Sequence, residues 1–183
     1  MTYISARIDF SDPHDSAAPR LRHAFSTPRA VMLARTVAEV RPVLDAVQAA
    51  ALQGRWCVGY LRYEAAPAFD AALAVHDADG PLAWFAVYDE ALPWPQPAQN
   101  AAAPPVQWQA LLLRPVFDAA LHTLQQGIAR GEYYQVNFTA QMTGLLSDAA
   151  SLDAAAGLFH ALQRAQPGGY AAFLDTGDEQ VLS

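Results

Sequence analysis

The stretch Ala30-Val31-Met32-Leu33-Ala34-Arg35-Thr36-Val37-Ala38-Glu39-Val40-Arg41-Pro42 decides the fold class. Its first five residues are a short continuous apolar run, long enough for one strand. Thr36 and Glu39 then stand in the spacing of a capping box, which satisfies two orphan amides where a helix begins. Val40, Leu44, Val47 and Ala51 follow at helical spacing, and Gly54 stands where a helix ends on a C′ glycine. Pro42 opposes a start at Thr36, because proline removes a hydrogen bond and clashes with a carbonyl one turn back. The helix is therefore expected to begin near Arg41 or to bend there. Arg55 to Glu64 resumes as a strand, with Val58, Tyr60 and Arg62 on one face and Cys57, Gly59, Leu61 and Tyr63 on the other. Strand, helix and strand in succession predict an α/β (α+β) domain.

Upstream, the first 27 residues carry Asp9, Asp12, Pro13, His14, Asp15 and Pro19 with little periodicity, and predict loop with one short strand. Downstream, Ala65 to Leu73 suits a short helix with Pro67 in its first turn. Leu82 to Tyr88 is a further strand. The segment from Pro93-Trp94-Pro95 to Pro104-Pro105 cannot form a regular ladder and predicts a linker. It divides the chain into an N-terminal subdomain, 1–92, a Pro/Ala-rich linker, 93–105, and a second segment, 106–183.

In that second segment Val106 to Leu113 is strand-like and Pro115 suits a helix start. Phe117, Leu121, Leu124 and Ile128 form one helical stripe that Gly131 closes. Tyr134, Val136, Phe138, Ala140 and Met142 alternate with Tyr133, Gln135, Asn137, Thr139 and Gln141, which predicts a half-buried strand with an amide-rich face. Ser151 to Ala165 is a second amphipathic helix, broken by Gly168-Gly169. Tyr170 to Leu174 is a strand, and Asp175 to Asp178 turns into Gln180-Val181-Leu182. The order is β-α-β-α-β-β.

Composition bounds the chemistry. The 183 residues are 53% apolar and 16% charged, so the chain can bury a sizeable core. Eleven basic against eighteen acidic side chains leave a net charge of −7, which argues against a nucleic-acid or anionic-membrane surface. All eleven basic residues are arginine. A Schiff base, a lysine nucleophile and a P-loop lysine are therefore excluded from these residues. Cys57 stands alone in an apolar run, as a buried, inert thiol would. No basic and apolar leader opens the chain, and no run is long enough to span a membrane, so a cytoplasmic protein is expected.

The five histidines share no metal-ligand spacing, and no nucleophile elbow, dinucleotide fingerprint or Walker sequence occurs. Two segments rise above that background: Gly59-Tyr60-Leu61-Arg62-Tyr63-Glu64-Ala65-Ala66-Pro67-Ala68-Phe69-Asp70, and Ile128 to Thr139 with its Gly131-Glu132-Tyr133-Tyr134-Gln135-Val136-Asn137 centre. The plain reading of the first is a strand in which Arg62 and Glu64 neutralise each other near a turn. The plain reading of the second is a strand with a wet face. Amides on such a face also suit a polar ligand cleft, because they donate and accept without carrying charge.

These segments, followed by Tyr170-Ala171-Ala172-Phe173-Leu174-Asp175 and on to Val181-Leu182-Ser183, resemble the chorismate-utilising enzymes in order and spacing. The resemblance runs from about Phe25 onward. It is nearer to component I of aminodeoxychorismate (para-aminobenzoate) synthase than to anthranilate synthase component I. It implies part of a two-sheet fold, mostly antiparallel with helices packed outside. It also implies amination of chorismate with ammonia from a glutaminase subunit, assisted by Mg²⁺. The family's metal-binding glutamates, ring-binding threonine, acid/base histidine and covalent lysine belong to a C-terminal half beyond Ser183. The chain is thus expected to be the N-terminal portion of component I, inactive alone, with no catalytic residue or metal ligand of its own. Tyr134, Gln135, Asn137 and Thr139 are the expected cleft residues. Gln166-Pro167-Gly168-Gly169-Tyr170 aligns with a tryptophan-effector segment, departing from it at Gln166 and Gly169, so Pro167, Gly168, Gly169 and Tyr170 mark an effector-pocket equivalent. A non-catalytic binding or docking module is the alternative.

Overall fold

The computed structural model describes residues 3–12, 14–15, 17–95, 105–146, 152–166 and 169–183. Nine strands and three α-helices alternate along them: β1 Ala6–Phe10, β2 Leu21–Phe25, β3 Ala30–Ala34, α1 Val37–Leu52, β4 Trp56–Leu61, β5 Ala83–Tyr88, β6 Val106–Ala110, α2 Arg114–Ala129, β7 Met142–Leu146, α3 Leu152–Ala165, β8 Tyr170–Asp175 and β9 Gln180–Leu182. All strand pairs are antiparallel, in sheets of order β2-β1-β8-β9, β3-β5-β4 and β6-β7. The mixed α/β class with mostly antiparallel sheets is as expected. The chain divides into two compact units, Met1–Asn100 with Leu162–Ser183, and Ala101–Ala161. β8 and β9, expected with the segment from residue 106, therefore join the sheet of β1 and β2.

The first unit is organised by β5. Trp84, Ala86 and Tyr88 on one face join Ala6, Ile8, Phe25, Val58 and Leu174, so this core lies between the two sheets. Ala83 and Phe85 on the other face join Ala34, Val40, Ala65 and Leu82 under α1. A strand covered on both sides has no polar alternation, which explains the all-apolar Ala83-Trp84-Phe85-Ala86-Val87-Tyr88.

α1 begins at Val37 with Thr36 as its N-cap, not near Arg41, and Pro42 lies inside it. The Glu39 carboxylate accepts the backbone N–H groups of Arg35 and Thr36 at 2.8 and 2.9 Å. The Arg41 guanidinium donates to the Ala68 carbonyl at 2.7 Å and lies over the Phe69 ring. Together with burial of Val40 these contacts hold the first turn despite the bond lost at proline. Gly54 ends the helix at φ +80°, as its position predicted. The expected helix over Ala65 to Leu73 is instead a 3₁₀ segment, Tyr63–Ala68.

The N-terminal 27 residues hold two strands where one was expected. Arg7 and Asp9 alternate with Ala6 and Ile8 as in a strand, but Asp9 is nearly as buried as they are. Asp9 is bound by Arg20 at 2.7 Å, by Arg22 at 3.4 Å and by the Gln163 amide at 3.2 Å. A buried carboxylate held by that many donors occupies a position composition alone assigns to solvent.

In the second unit β6 and β7 form a two-stranded ribbon, with Val106, Trp108, Ala110, Met142, Gly144 and Leu146 on one face and Gln107, Gln109, Thr143 and Leu145 on the other. Arg114 opens α2 and Pro115 follows, where its missing N–H costs nothing.

Candidate functional site

The Gly131–Gln141 segment departs most from expectation. Its pattern predicts a strand over Tyr134–Met142, yet residues 131–141 form no ladder, and the strand is Met142–Leu146. Alternation fixes which way side chains point, but a strand exists only where a neighbour pairs with its amides. Among the described residues none runs beside 134–140.

Two aromatic contacts set its path instead. Tyr133 covers Gly127 near the end of α2, so closely that a Cβ there would lie 2.8 Å from Tyr133 Cδ2 and 2.9 Å from its Cζ. Phe138 meets Phe117 in the first turn of α2, with ring centroids 5.4 Å apart. Ten helical residues span about 15 Å, and five extended ones about 16 Å. The chain therefore turns at Gly131, φ +74°, and runs back along α2 almost fully extended. Tyr133 and Phe138 are an odd number of residues apart yet both face the helix, which breaks strict alternation. Phe117, Leu121 and Leu124 of the expected stripe are half-buried, whereas Ile128 is exposed and Gly127 takes the buried position.

The four expected cleft residues lie on this returning segment. Tyr134 is 98% exposed. Gln135, Asn137 and Thr139 are exposed as well, and among the described residues their side chains form no hydrogen bond. They offer neutral donors and acceptors to a ligand, with no carboxylate, imidazole or amine among them. In the same unit, the amide face of the ribbon bears an open groove of about 510 Å³ lined by Pro105, Gln107, Gln109, Thr143, Gly144 and Leu145.

Of the residues expected as an effector-pocket equivalent, Gly169 and Tyr170 lie in the other unit. Pro167 and Gly168 fall outside the described residues. Gly169, φ +83°, accepts from the Ser11 amide at 3.0 Å and donates to Ser11 Oγ at 3.1 Å. Tyr170 opens β8 and meets Phe10 edge-to-face at 5.4 Å. The Ser11–Gly169 bonds extend the β1–β8 pairing by one residue beyond Phe10 and Tyr170.

A polar cluster that the sequence did not reveal joins β4 to the β8–β9 turn. Glu179 accepts the Tyr60 hydroxyl and both its oxygens accept Arg62 Nη2, at 2.9 and 2.7 Å. Arg62 therefore pairs with Glu179, not with Glu64 as its neighbourhood suggested, because it shares the Val58 and Tyr60 face and that face looks to the other sheet. The Tyr60 hydroxyl and then the Arg62 guanidinium hold the Glu179 carboxyl below its ordinary range, partly opposed by burial. Burial, and next the bond to Glu179, push the Tyr60 phenol up. The separation of 117 residues in sequence hides this pair from any local pattern.

The family of chorismate binding enzymes matches residues 13–183, nearly the whole chain, and the chain belongs to it. No curated protein and no solved structure matches the chain. Both segments singled out in the sequence, Gly59–Asp70 and Ile128–Thr139, lie within the matched residues. Among the described residues no three His, Cys, Asp or Glu side chains converge as they would to hold a metal ion. No described helix is long and apolar enough to cross a membrane.

Proposed function

We propose that this chain is the N-terminal part of an aminodeoxychorismate synthase component I. That enzyme aminates chorismate to 4-amino-4-deoxychorismate, with Mg²⁺ and ammonia from a glutaminase subunit, in the cytoplasm. The observation that carries the choice of branch is the Gly59–Asp70 segment, whose Tyr-Glu-Ala-Ala-Pro-Ala-Phe-Asp form favours it over anthranilate synthase. The absence of lysine supports the assignment of the covalent step to residues outside this chain. In this reading Tyr134, Gln135, Asn137 and Thr139 shape the chorismate cleft through stacking and neutral hydrogen bonds.

The 183 residues incubated with chorismate, Mg²⁺ and ammonium should yield no product. The enzyme encoded by the uninterrupted reading frame should yield aminodeoxychorismate, identified by its ultraviolet spectrum. Turnover by the isolated chain, or anthranilate from the long enzyme, overturns the assignment. Tyr134→Ala and Asn137→Ala in that enzyme should raise KM for chorismate while leaving the melting temperature unchanged, since both side chains are exposed.

A further inference from the structure

The β6–β7 ribbon has an open edge along β7. The Leu111 amide donates to the Gln141 carbonyl at 3.1 Å, and bonded positions alternate along an antiparallel ladder. Thr143 and Leu145 therefore exchange their amide bonds with Gln109 and Gln107, and the backbone groups of Met142, Gly144 and Leu146 point away from β6. Among the described residues no strand pairs with them. A ribbon of two strands is marginal by itself, and an uncovered edge is a template for a further strand. Trp108, Met142 and Leu145 are exposed on this ribbon, Leu145 at 87%.

Charge decides what can approach that edge. Each chain carries −7, so two copies repel unless they meet where charge is absent. No charged residue occurs between Glu90 and Arg114 or between Glu132 and Asp148, and these two stretches contain both strands of the ribbon. Edges that must stay free are ordinarily guarded by charges or proline. Pro104-Pro105 precedes β6, but neither guard occurs from 133 to 147.

β7 is also complementary to itself. Paired antiparallel about Gly144, it sets Gly144 opposite Gly144, Met142 opposite Leu146 and Thr143 opposite Leu145, with every outward amide bonded. Trp108 already leans toward this edge: a Cβ on Gly144 would lie 3.3 Å from Trp108 Cε3. Glycine inside a strand commonly marks close approach of another backbone. Two such glycines side by side leave a trough about 5 Å across, which the indoles of both copies overlie.

We propose that this edge is a homodimer interface, in which β7 pairs with β7 of a second copy to make a four-stranded sheet β6-β7-β7-β6. The pairing is isologous, so each contact occurs twice about the two-fold axis. The proposal does not depend on the activity assigned above.

Sedimentation of the full 183-residue chain over a concentration series tests it, with circular dichroism verifying the fold of each variant. The chain should form dimers that tighten as added salt screens the charge of each copy. Leu145→Glu should weaken the dimer at least about tenfold, since the axis places two charges in one interface. Met142→Pro should abolish it and spare the β6–β7 ladder, because the amide it removes points away from β6. Leu52→Ser, at an exposed site in the other compact unit, should dimerise as the wild type does. T143C/L145C in a Cys57→Ser background should oxidise to a covalent dimer joining position 143 of one copy to 145 of the other, since unbonded opposite residues stand about 4.5 Å apart at Cα. A monomeric chain, a dimer indifferent to Leu145→Glu and Met142→Pro, or a double-cysteine dimer without that cross-link overturns the proposal. Protection of the Gly144 amide from hydrogen exchange in the longer enzyme, with the 183-residue chain monomeric, gives the edge to that enzyme's own further residues and overturns it as well.

Discussion

Gly59→Ala tests how tightly β4 and β5 are packed. A Cβ on Gly59 would lie 2.6 Å from Phe85 Cδ1, 2.7 Å from Phe85 Cα and closer still to the Trp84 carbonyl oxygen. Two of those three atoms are backbone of the partner strand, so no rotamer change clears them. Ordinary contact begins at 3.4 Å, and β4 must therefore shift from β5 by about 0.7 Å or more. A ladder bond of about 2.9 Å stretched by that amount is no longer a hydrogen bond. Losing two such bonds costs about 2 kcal/mol, and overpacking adds about 1–3 kcal/mol. The stiffer unfolded chain returns only about 0.4–1 kcal/mol. The net loss of about 3 kcal/mol corresponds to a melting temperature lowered by about 6–12 °C in a chain of this length. Gly54→Ala is the comparison: it has φ +80° but no neighbour within 4 Å, so only the left-handed penalty of about 1 kcal/mol applies. Thermal and urea unfolding followed by circular dichroism measure both. A Gly59→Ala melting temperature within about 2 °C of wild type would refute the argument from close approach.

Glu179→Gln should lower stability by about 1 kcal/mol, because its ion pair with Arg62 is partly exposed and screened. Since the folded-state carboxyl is held below its ordinary value, this contribution is present above the usual carboxylate range and disappears as pH falls through the lowered value. Urea midpoints of variant and wild type should therefore converge on acidification, and a gap that widens instead contradicts the assigned pair. Asp9→Ala strips Arg20, Arg22 and Gln163 of their shared acceptor and should cost about 2 kcal/mol, read from the shift in urea midpoint. Burial raises the Cys57 thiol, only partly opposed by Arg55. Its reaction with Ellman's reagent at mildly alkaline pH should be at least about tenfold slower in the folded chain than in urea, and equal rates would count against a half-buried thiol.

Where local physics is decisive, the sequence was legible. Thr36, Glu39 and Gly54 bracket α1 because caps act within one turn of the backbone they satisfy. The apolar run Ala30–Ala34, the strand after Gly54 and the turn at 175–178 follow for the same reason. Pro42 misled because its local cost is outweighed by the Glu39 cap, by burial of Val40 and by bonds from Arg41 to residues 27 and 28 positions away. The returning segment at 133–141 shows the opposite limit. Its alternation is genuine, but Tyr133 on Gly127 and Phe138 on Phe117 place it along a helix, not in a ladder.

The amino-acid sequence by itself determined the alternating order of elements, the family and the absence of a lysine nucleophile, since each rests on residue type and spacing. Only the tertiary structure decided that β8 and β9 close the sheet begun by β1 and β2, and that Arg62 answers to Glu179. It also showed that Tyr63, beside the Arg62 that the core face claims, stands outside the core. Pairing across a sheet and burial of a charge depend on which distant residues arrive alongside, and no spacing along one chain records that.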